Sequence, residues 1–550
     1  MRNIGVSRIE KRSKEWYNIL MKNTPVKEDN VTIPRSEYEL MKSQIQYLME
    51  QLKLSKRRQF GVSSEKSEYD QVSLFNEAEV YAEPLTPEPA LREVEKHYRK
   101  KRREAKERLP QDLPVEIVEY RLPDNKQDCP ACDGALHVMG KKTVRRDLKL
   151  IPATATIVEH VQYTYSCRCC EKNAISVPVV KAAMPQPVIK GSFAASETVA
   201  HLMVQKFVMG VPLYRQEQEW KRQGIMLNRQ TMSNWLIHCA EVWLEPVYAA
   251  LKRKLLAHQV LHVDETTLQA LREPGKPAQS KSYMWVYRTS GDAKYAIVLL
   301  EYQPGRGAQY PKAFLKGWGG YLHTDGYDVY HKLPDDIVVV GCWAHARRYF
   351  DQALKAIPHN GREGSGPLIG KRYCDKLFAT RRDLASLNAQ ERHLKRLELA
   401  KPVLDEFWAW LNSLGEIAKN AFNKAVFYTL GQWKYLERYL LDGRLEISNN
   451  RAERSVKPFV IDRKNFLFAI TPAGATASAT IFSICETAKE NGLNPFDYLT
   501  FLFRALPNNP KADIDDFLPG GCMIPDSCYA KHDRKDSTAI EKDSGCGTVG

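Results

Sequence analysis

Apolar positions along this chain change their period repeatedly, and each change marks a predicted module. Between residues 34 and 59 the spacing is helical, with Tyr38, Met41, Ile45, Leu48 and Leu52 recurring at steps of 3 and 4. Glu and Lys surround that heptad seam, which suits a short dimerising zipper or an amphipathic helix packed on its own chain. Residues 67–91 lose the period, carry acids with Pro84, Pro87 and Pro89, and read as a linker. From Thr154 to Tyr165, Ile157, Val158, Val161, Tyr163 and Tyr165 are β-prone. Residues 192–240 return to helical spacing. One helix is predicted over Ala194–Met209, a second from Pro212 and a third after the turn at Gly224. From residue 258 the texture is strand-like, with runs at Val260–Val263, Tyr283–Thr289, Tyr295–Glu301, Tyr321–Thr324 and Ile337–Gly341. Helical stretches are expected at Ala308–Leu315, at Trp343–Ala356 and through residues 350–440, where Trp408, Trp410 and Trp433 lie.

Charge narrows the class of partner. The chain of 550 residues holds 81 Lys and Arg against 66 Asp and Glu, a net charge of +15. Such a surplus favours nucleic acid or an anionic membrane. No apolar run approaches the roughly 20 residues that span a bilayer, and Met1 to Lys22 lacks the apolar core of a signal peptide. A cytoplasmic, nucleoid-associated protein without a membrane partner is therefore expected. In that setting Lys100-Lys-Arg-Arg103 suits a solvated helix or a DNA-facing arm.

Twelve cysteines in a reducing compartment point to metal ligation or buried thiols. Cys129-Pro-Ala-Cys132 and Cys167-Arg-Cys-Cys170 flank the β-prone stretch. Two such knuckles across a hairpin form the ligand set of a zinc ribbon. Cys129, Cys132, Cys167 and Cys170 would close a structural Zn²⁺ tetrahedron with no open position. Cys342-Trp-Ala-His345 is a weaker metal signal, because no second pair is adjacent. Packing beside a site is the expected role of those two side chains.

Three acids carry the sharpest expectation. Asp264 ends the run Val260-Leu-His-Val, and Asp325 ends Tyr321-Leu-His-Thr, each in a His-x-Asp context. The element order is that of a ribonuclease-H-like fold, strand, strand, strand, helix, strand, helix, strand, helix. In it the first and fourth strands are neighbours, so both aspartates would meet. For the third acid Glu446, Glu453 and Glu486 all compete. Ser448 or Asn449 would cap the following helix and put Glu453 in its first turns, among Arg451, Arg454 and Lys457. Carboxylates from two strand ends and a helix suit two Mg²⁺ ions, or Mn²⁺. The fold class expected is multidomain α+β, a ribonuclease-H-like α/β core interrupted by an α-helical insertion. Its divisions are a helical segment 1–66, a linker 67–112, a zinc-ribbon-like domain 113–182 and a helix-turn-helix-like domain 183–247. Then come core residues 248–348, the insertion 349–443, core residues 444–506 and a disordered tail 507–550.

Several phrases in combination resemble the IS66-family transposases of bacterial insertion sequences, from about Leu40 to about Leu506. They are Arg58-Gln-Phe-Gly-x-Ser-Ser-Glu-Lys66, the two cysteine pairs, Pro212-Leu-Tyr-Arg-Gln216, His262-Val-Asp-Glu-Thr266 and His323-Thr-Asp-Gly-Tyr327. Cys342-Trp-Ala-His-Ala-Arg-Arg348, Asn449-Asn-x-Ala-Glu-Arg454, Arg463-Lys-Asn465 and Phe468-Ala469 complete the set. Two positions depart from it: Asp462 stands where the family often has Gly, and Ser448 where it has Asp. The resemblance implies a DDE transposase with Asp264, Asp325 and Glu453 as its triad, a zipper-like N-terminus, a zinc segment and terminal inverted repeats as substrate. The expected chemistry is water attack at the element end, then attack of the freed 3′-hydroxyl on target DNA. DNA contacts are expected from Arg229, Gln230, Asn234, Arg347, Arg348, Arg454, Lys457, Arg463 and Lys464. A dimer or larger multimer is expected, with accessory proteins of the element as further partners. The rival readings are a nuclease without strand transfer and a non-catalytic DNA-binding regulator.

Overall fold

The computed structural model describes residues 155–166, 179–415 and 419–530, with scattered helical positions between 35 and 49. The four ribbon cysteines, the linker and Lys100–Arg103 lie outside the described residues. Tyr38, Met41 and Ile45 of the expected seam are helical and exposed; Leu48 and Leu52 lie outside the described residues.

Residues 155–184 belong to one compact unit and residues 185–530 to another. In the first, β1 (Thr164–Ser166) pairs antiparallel with β2 (Val179–Lys181), Tyr165 opposite Val180. The β-prone stretch before Thr164 is not strand, and Ile157, Val158 and Val161 are exposed. A strand forms here only where a partner backbone is present to take its hydrogen bonds.

The second unit opens with helices α1 (Ser196–Phe207), α2 (Leu213–Arg222) and α3 (Arg229–Cys239). Val199, Ala200, Leu202, Met203 and Phe207 face inward from α1, the spacing that predicted it. Gly224 turns the chain at φ +79°, which favours a residue without Cβ. Asn228 then caps α3 by accepting from the Thr231 amide at 2.8 Å. A π-helical turn, Ala240–Leu244, carries α3 into α4 (Glu245–Leu255).

Five strands follow: β3 (Val260–Gln269), β4 (Lys281–Thr289), β5 (Val298–Gln303), β6 (Gly320–His323) and β7 (Ile337–Val340). They form one mixed sheet in the order β5-β4-β3-β6-β7, and α5 (Gln309–Phe314), the helix expected at Ala308–Leu315, joins β5 to β6. β3, β4 and β5 are antiparallel, while β6 and β7 run parallel to β3. The first and fourth strands are therefore neighbours, as the element order required. Two details differ from expectation. β3 does not stop at Asp264; it continues to Gln269 against β4 after its pairing with β6 has ended at His262. Polar residues beyond Asp264 hid that extension. The link from β6 to β7, expected to hold a helix, contains a single 3₁₀ turn, Tyr330–Lys332.

After β7, α6 (Trp343–Ala356), α7 (Gly366–Asp383), α8 (Ala389–Ser413) and α9 (Ala421–Leu436) form the helical segment expected before Glu453. They share a second apolar core centred on Trp343, Phe350, Phe407 and Trp433. Trp433 meets Trp343 edge to face at 5.7 Å. α10 (Asn450–Phe466) then returns the chain to β3 and β4. α11 (Pro472–Glu490) covers the edge strand β5. The outward amides of Val298 and Leu300 donate to the hydroxyls of Thr487 (3.0 Å) and Ser483 (2.7 Å). Helix hydroxyls thus satisfy donors that an open sheet edge would leave exposed. α12 (Pro495–Ala505) packs on α1.

The expectation of disorder from residue 507 is corrected as far as residue 530. Phe517, Leu518, Ile524 and Cys528 are buried, the Tyr498 hydroxyl donates to the Phe517 carbonyl at 2.8 Å, and Tyr529 bridges to Leu493. A few apolar anchors suffice to dock a largely polar segment. Phe517→Ala should cost about 3–5 kcal/mol in a urea melt; a cost under about 1 kcal/mol would show that the anchor does not hold.

Candidate active site

The register of β3 on β6 decides what can meet. Val260 pairs with Tyr321, Leu261 with Leu322 and His262 with His323, a constant offset of 61 residues (321 − 260). The same offset applied to Asp264 gives Asp325 (264 + 61), one side-chain repeat beyond the last pair. Alternate residues share a face of a strand, so each aspartate follows its histidine on the same side. His262 and His323 stack with ring centroids 4.4 Å apart and planes 13° from parallel. Both are fully buried. Burial, then the nearby arginines Arg451, Arg288 and Arg454, pushes the His262 imidazole down to about 3, against its bond to Asn449. Burial and the neighbouring His262 hold His323 well below the usual range. Two neutral rings can stack in a dry interior where two imidazolium ions could not.

The Asp264 carboxyl is strongly perturbed. Burial first, then the carboxylates of Glu265, Asp325 and Glu453, raises it well above the usual range, against one bond from the Glu265 amide at 2.9 Å. Glu446 and Glu486 are both engaged by cations of their own. Glu446 pairs with Arg451 at 2.5 Å, and this pairing outweighs burial to hold its carboxyl below the usual range. Glu486 pairs with Lys489 on α11, and burial raises it. Asp325 accepts from the Tyr327 amide at 3.0 Å, a local turn that fixes its carboxylate after β6 ends.

Glu453 stands in the first turns of α10, as expected, but not through a side-chain cap. Asn449 precedes the helix with its carboxamide turned inward. Its Oδ1 lies 3.0 Å from His262 Nδ1, its Nδ2 donates to the Val263 carbonyl at 2.7 Å, and its backbone amide reaches Cys342 Sγ at 3.1 Å. One buried residue thereby ties α10 to β3 and to the start of α6. The Glu446 amide donates to His323 Nε2 at 3.1 Å, giving a matching tie to β6.

The next residue of β3 engages a second set of groups. Glu265 accepts from Arg306 Nε at 2.7 Å and from the Tyr330 hydroxyl. Arg306 lies over the Tyr327 ring at 3.6 Å. Burial, then Asp325, raises the Glu265 carboxyl against the opposing pull of Tyr330 and Arg306. Sequence reasoning singled out none of His262, His323, Glu265, Arg306, Tyr330 or Asn449 as site residues. The repeated His-x-Asp spacing was the signal for the first two, and Asn449 read only as a cap.

The expected cationic contacts divide. Arg229, Gln230 and Asn234 are exposed on α3, and Gln230 donates to Asn234 at 3.0 Å. Arg454, Lys457 and Lys464 are exposed along α10. Arg348 reaches Glu453 at 3.4 Å. Arg347 turns to Asp375 of α7 at 2.6 Å. Arg463 is half-buried and donates to the hydroxyls of Thr267 (3.0 Å) and Thr266 (3.2 Å), so it straps α10 to β3. His345 Nδ1 stands 3.7 Å from Glu453 Oε1, and Cys342 lies with them.

The fold and site define an α+β domain with a mixed sheet and a half-enclosed group of acidic side chains at the ends of its parallel strands. Comparison with known proteins carries this further. Residues 191–477 match the family model described as transposase IS66 family, and residues 483–519 match the IS66 C-terminal element. Residues 126–171, which contain all four ribbon cysteines, match the zinc-finger binding domain of transposase IS66; residues 47–118 match Transposase C of IS166 homeodomain. The chain belongs to the IS66 transposase family. Among curated relatives, the protein y4qI of Sinorhizobium fredii, described as uncharacterized, is 30% identical over 62% of this chain; the match spans 65% of that relative's length. A second such protein of the same organism, y4jD, is 29% identical over 71% of this chain and 76% of its own. The match at residues 126–171 supports structural zinc in that segment. Among the described residues, no helix is long and apolar enough to cross a membrane.

Proposed function

We propose that the chain is a DDE-type transposase with a ribonuclease-H-like core in two parts, residues 248–348 and 444–506, separated by the insertion 349–443. The observation that carries this reading is the offset of 61 shared by the β3–β6 register and the Asp264–Asp325 spacing, with Glu453 acting on Asp264 from α10. Three carboxylates that repel one another in a half-enclosed site fit a hard divalent cation, because its charge removes the repulsion. Asp264, Asp325 and Glu453 would hold two Mg²⁺ or Mn²⁺ ions. Bound there, such ions lower the pKa of water or a DNA 3′-hydroxyl and offset charge on the phosphodiester.

The chain's own residues do the remaining work. His262, His323 and Asn449 hold the two strands and α10 in register. Arg306 and Tyr330 fix the Glu265 carboxyl next to Asp264 on β3. Arg348, Arg454, Lys457 and Lys464 offer positive charge to a phosphate backbone. Arg229, Gln230 and Asn234 present one polar helix face to a groove, within the helix-turn-helix-like domain 183–247. Arg347 and Arg463 serve packing instead, since both are held within the protein. The zinc-ribbon-like segment 113–182 and the zipper-like segment 1–66 would bind element ends and pair chains, because two ends must be joined together.

The test is direct. Full-length protein, Mg²⁺ and element-end DNA are incubated with a target plasmid, and products are resolved by sequencing gel. Joined strands are expected. Nicks without joining would favour a nuclease, and retarded DNA with neither reaction a regulator.

A further inference from the structure

Cys342, His345 and Glu453 come from three different positions in the chain's logic. Cys342 ends the apolar run of β7 and precedes α6, His345 is in the first turn of α6, and Glu453 is in the first turns of α10. Their ligand atoms all lie within 4.8 Å of one another. A residue at a helix N-cap and the one three places on approach each other, the geometry that closes a capping box. The Cys-x-x-His spacing therefore puts thiol and imidazole together without strain. The Asn449 amide at 3.1 Å from Cys342 Sγ then draws the start of α10 against them.

We infer that these three side chains form a second zinc site, separate from the ribbon cysteines. Three observations carry this. His345 Nδ1 and Glu453 Oε1 face each other at 3.7 Å, and neither has a hydrogen-bond partner although both atoms are buried. Nitrogen and oxygen ligands of a tetrahedral zinc, at about 2.0–2.2 Å from the ion, stand roughly 3.3–3.6 Å apart, so the pair is within a few tenths of an ångström of a ligand-to-ligand distance. The donor set is thiolate, imidazole and carboxylate, which zinc accepts and Mg²⁺ does not. Finally, two helix N-termini converge on the cluster, and their partial positive charge favours thiolate and carboxylate.

Burial, then Glu453, pushes the Cys342 thiol up to about 12, so a metal binding there must displace its proton to solvent. Three protein ligands leave one position open. The site shares Glu453 with the proposed triad and rests on no other part of that reading. Its effect is to pin the third carboxylate and the starts of α6 and α10 together.

Zinc per chain is measured by mass spectrometry on exhaustively dialysed full-length protein. Cys342→Ser and His345→Ala are each expected to hold one zinc fewer than the parent, Cys129→Ser to lose the ribbon ion, and Asp264→Asn to keep the parental amount. His345→Gln keeps side-chain bulk and should give the same loss with an unchanged circular dichroism spectrum. In a chain carrying Cys129→Ser and Cys132→Ser, cobalt should produce a sulfur-to-metal absorption band that Cys342→Ser erases. Parental zinc in both Cys342→Ser and His345→Gln would overturn the proposal. So would loss of the same ion in Asp264→Asn, which would assign it to the aspartates. Strand joining is not the readout, so failure here leaves the transposase reading standing.

Discussion

Asp264→Asn should fold, gain stability in metal-free buffer and lose strand joining by on the order of 10³-fold or more. The gain follows from the site's electrostatics. Burial, then Glu265, Asp325 and Glu453, penalises the Asp264 carboxylate, and the isosteric amide removes that penalty, by about 1 kcal/mol for each pKa unit relieved. The pH dependence has a definite sign. A carboxyl raised in the fold contributes stability that is present below the ordinary carboxylate range and is lost as pH rises through its raised value. Metal-free protein should therefore melt at lower temperature as pH rises, and Asp264→Asn should flatten that slope. Adding Mg²⁺ should stabilise the parent by mass action and leave the variant nearly unmoved. Differential scanning fluorimetry with and without Mg²⁺, across pH, reads all of this. Retained joining, or an unchanged Mg²⁺ response, would remove Asp264 from the site.

Asn449→Ala should damage both the fold and the site. It strips a buried partner from His262 Nδ1 and from the Val263 carbonyl at once. Leaving a buried polar group unsatisfied costs about 1–3 kcal/mol each, so the two together should cost roughly 2–6 kcal/mol in a urea melt. Joining should fall further than the folded fraction, because Asn449 begins the helix that carries Glu453. A variant that melts like the parent would mean that water replaces the carboxamide and that the tie is dispensable.

Much of the sheet and one side of the site were legible in the residues. The run Ile337–Val340 and the helix Trp343–Ala356 stand where hydrophobic period and boundary residues put them. Asp264 and Asp325 were legible because a parallel register repeats its neighbours, so two His-x-Asp phrases 61 residues apart are one structural event. Local pattern failed where the deciding partner is distant. The extension of β3 to Gln269 depends on β4, which supplies backbone bonds to residues that look polar and strand-poor. Asn449 looked like a cap because its bonds to His262 and Val263 span 187 and 186 residues. The segment through Tyr529 looked unstructured because its polar majority conceals Phe517 and Ile524. Arg347 and Arg463 looked like surface cations until Asp375 and the Thr266–Thr267 hydroxyls were seen to hold them.

The hydroxyls that close the outer edge of β5 bear on how this protein is made. Ser483 and Thr487 follow the end of β5 at Gln303 by 180 and 184 residues. At about 5–20 residues per second, a nascent chain carries that strand with an unsealed edge for roughly 10–40 s before its cover emerges from the ribosome. Chaperone capture during synthesis should therefore matter more for this protein than its finished surface suggests. A ribosome-arrested chain ending just before residue 472 should bind chaperone and aggregate, whereas one extended through α11 should not.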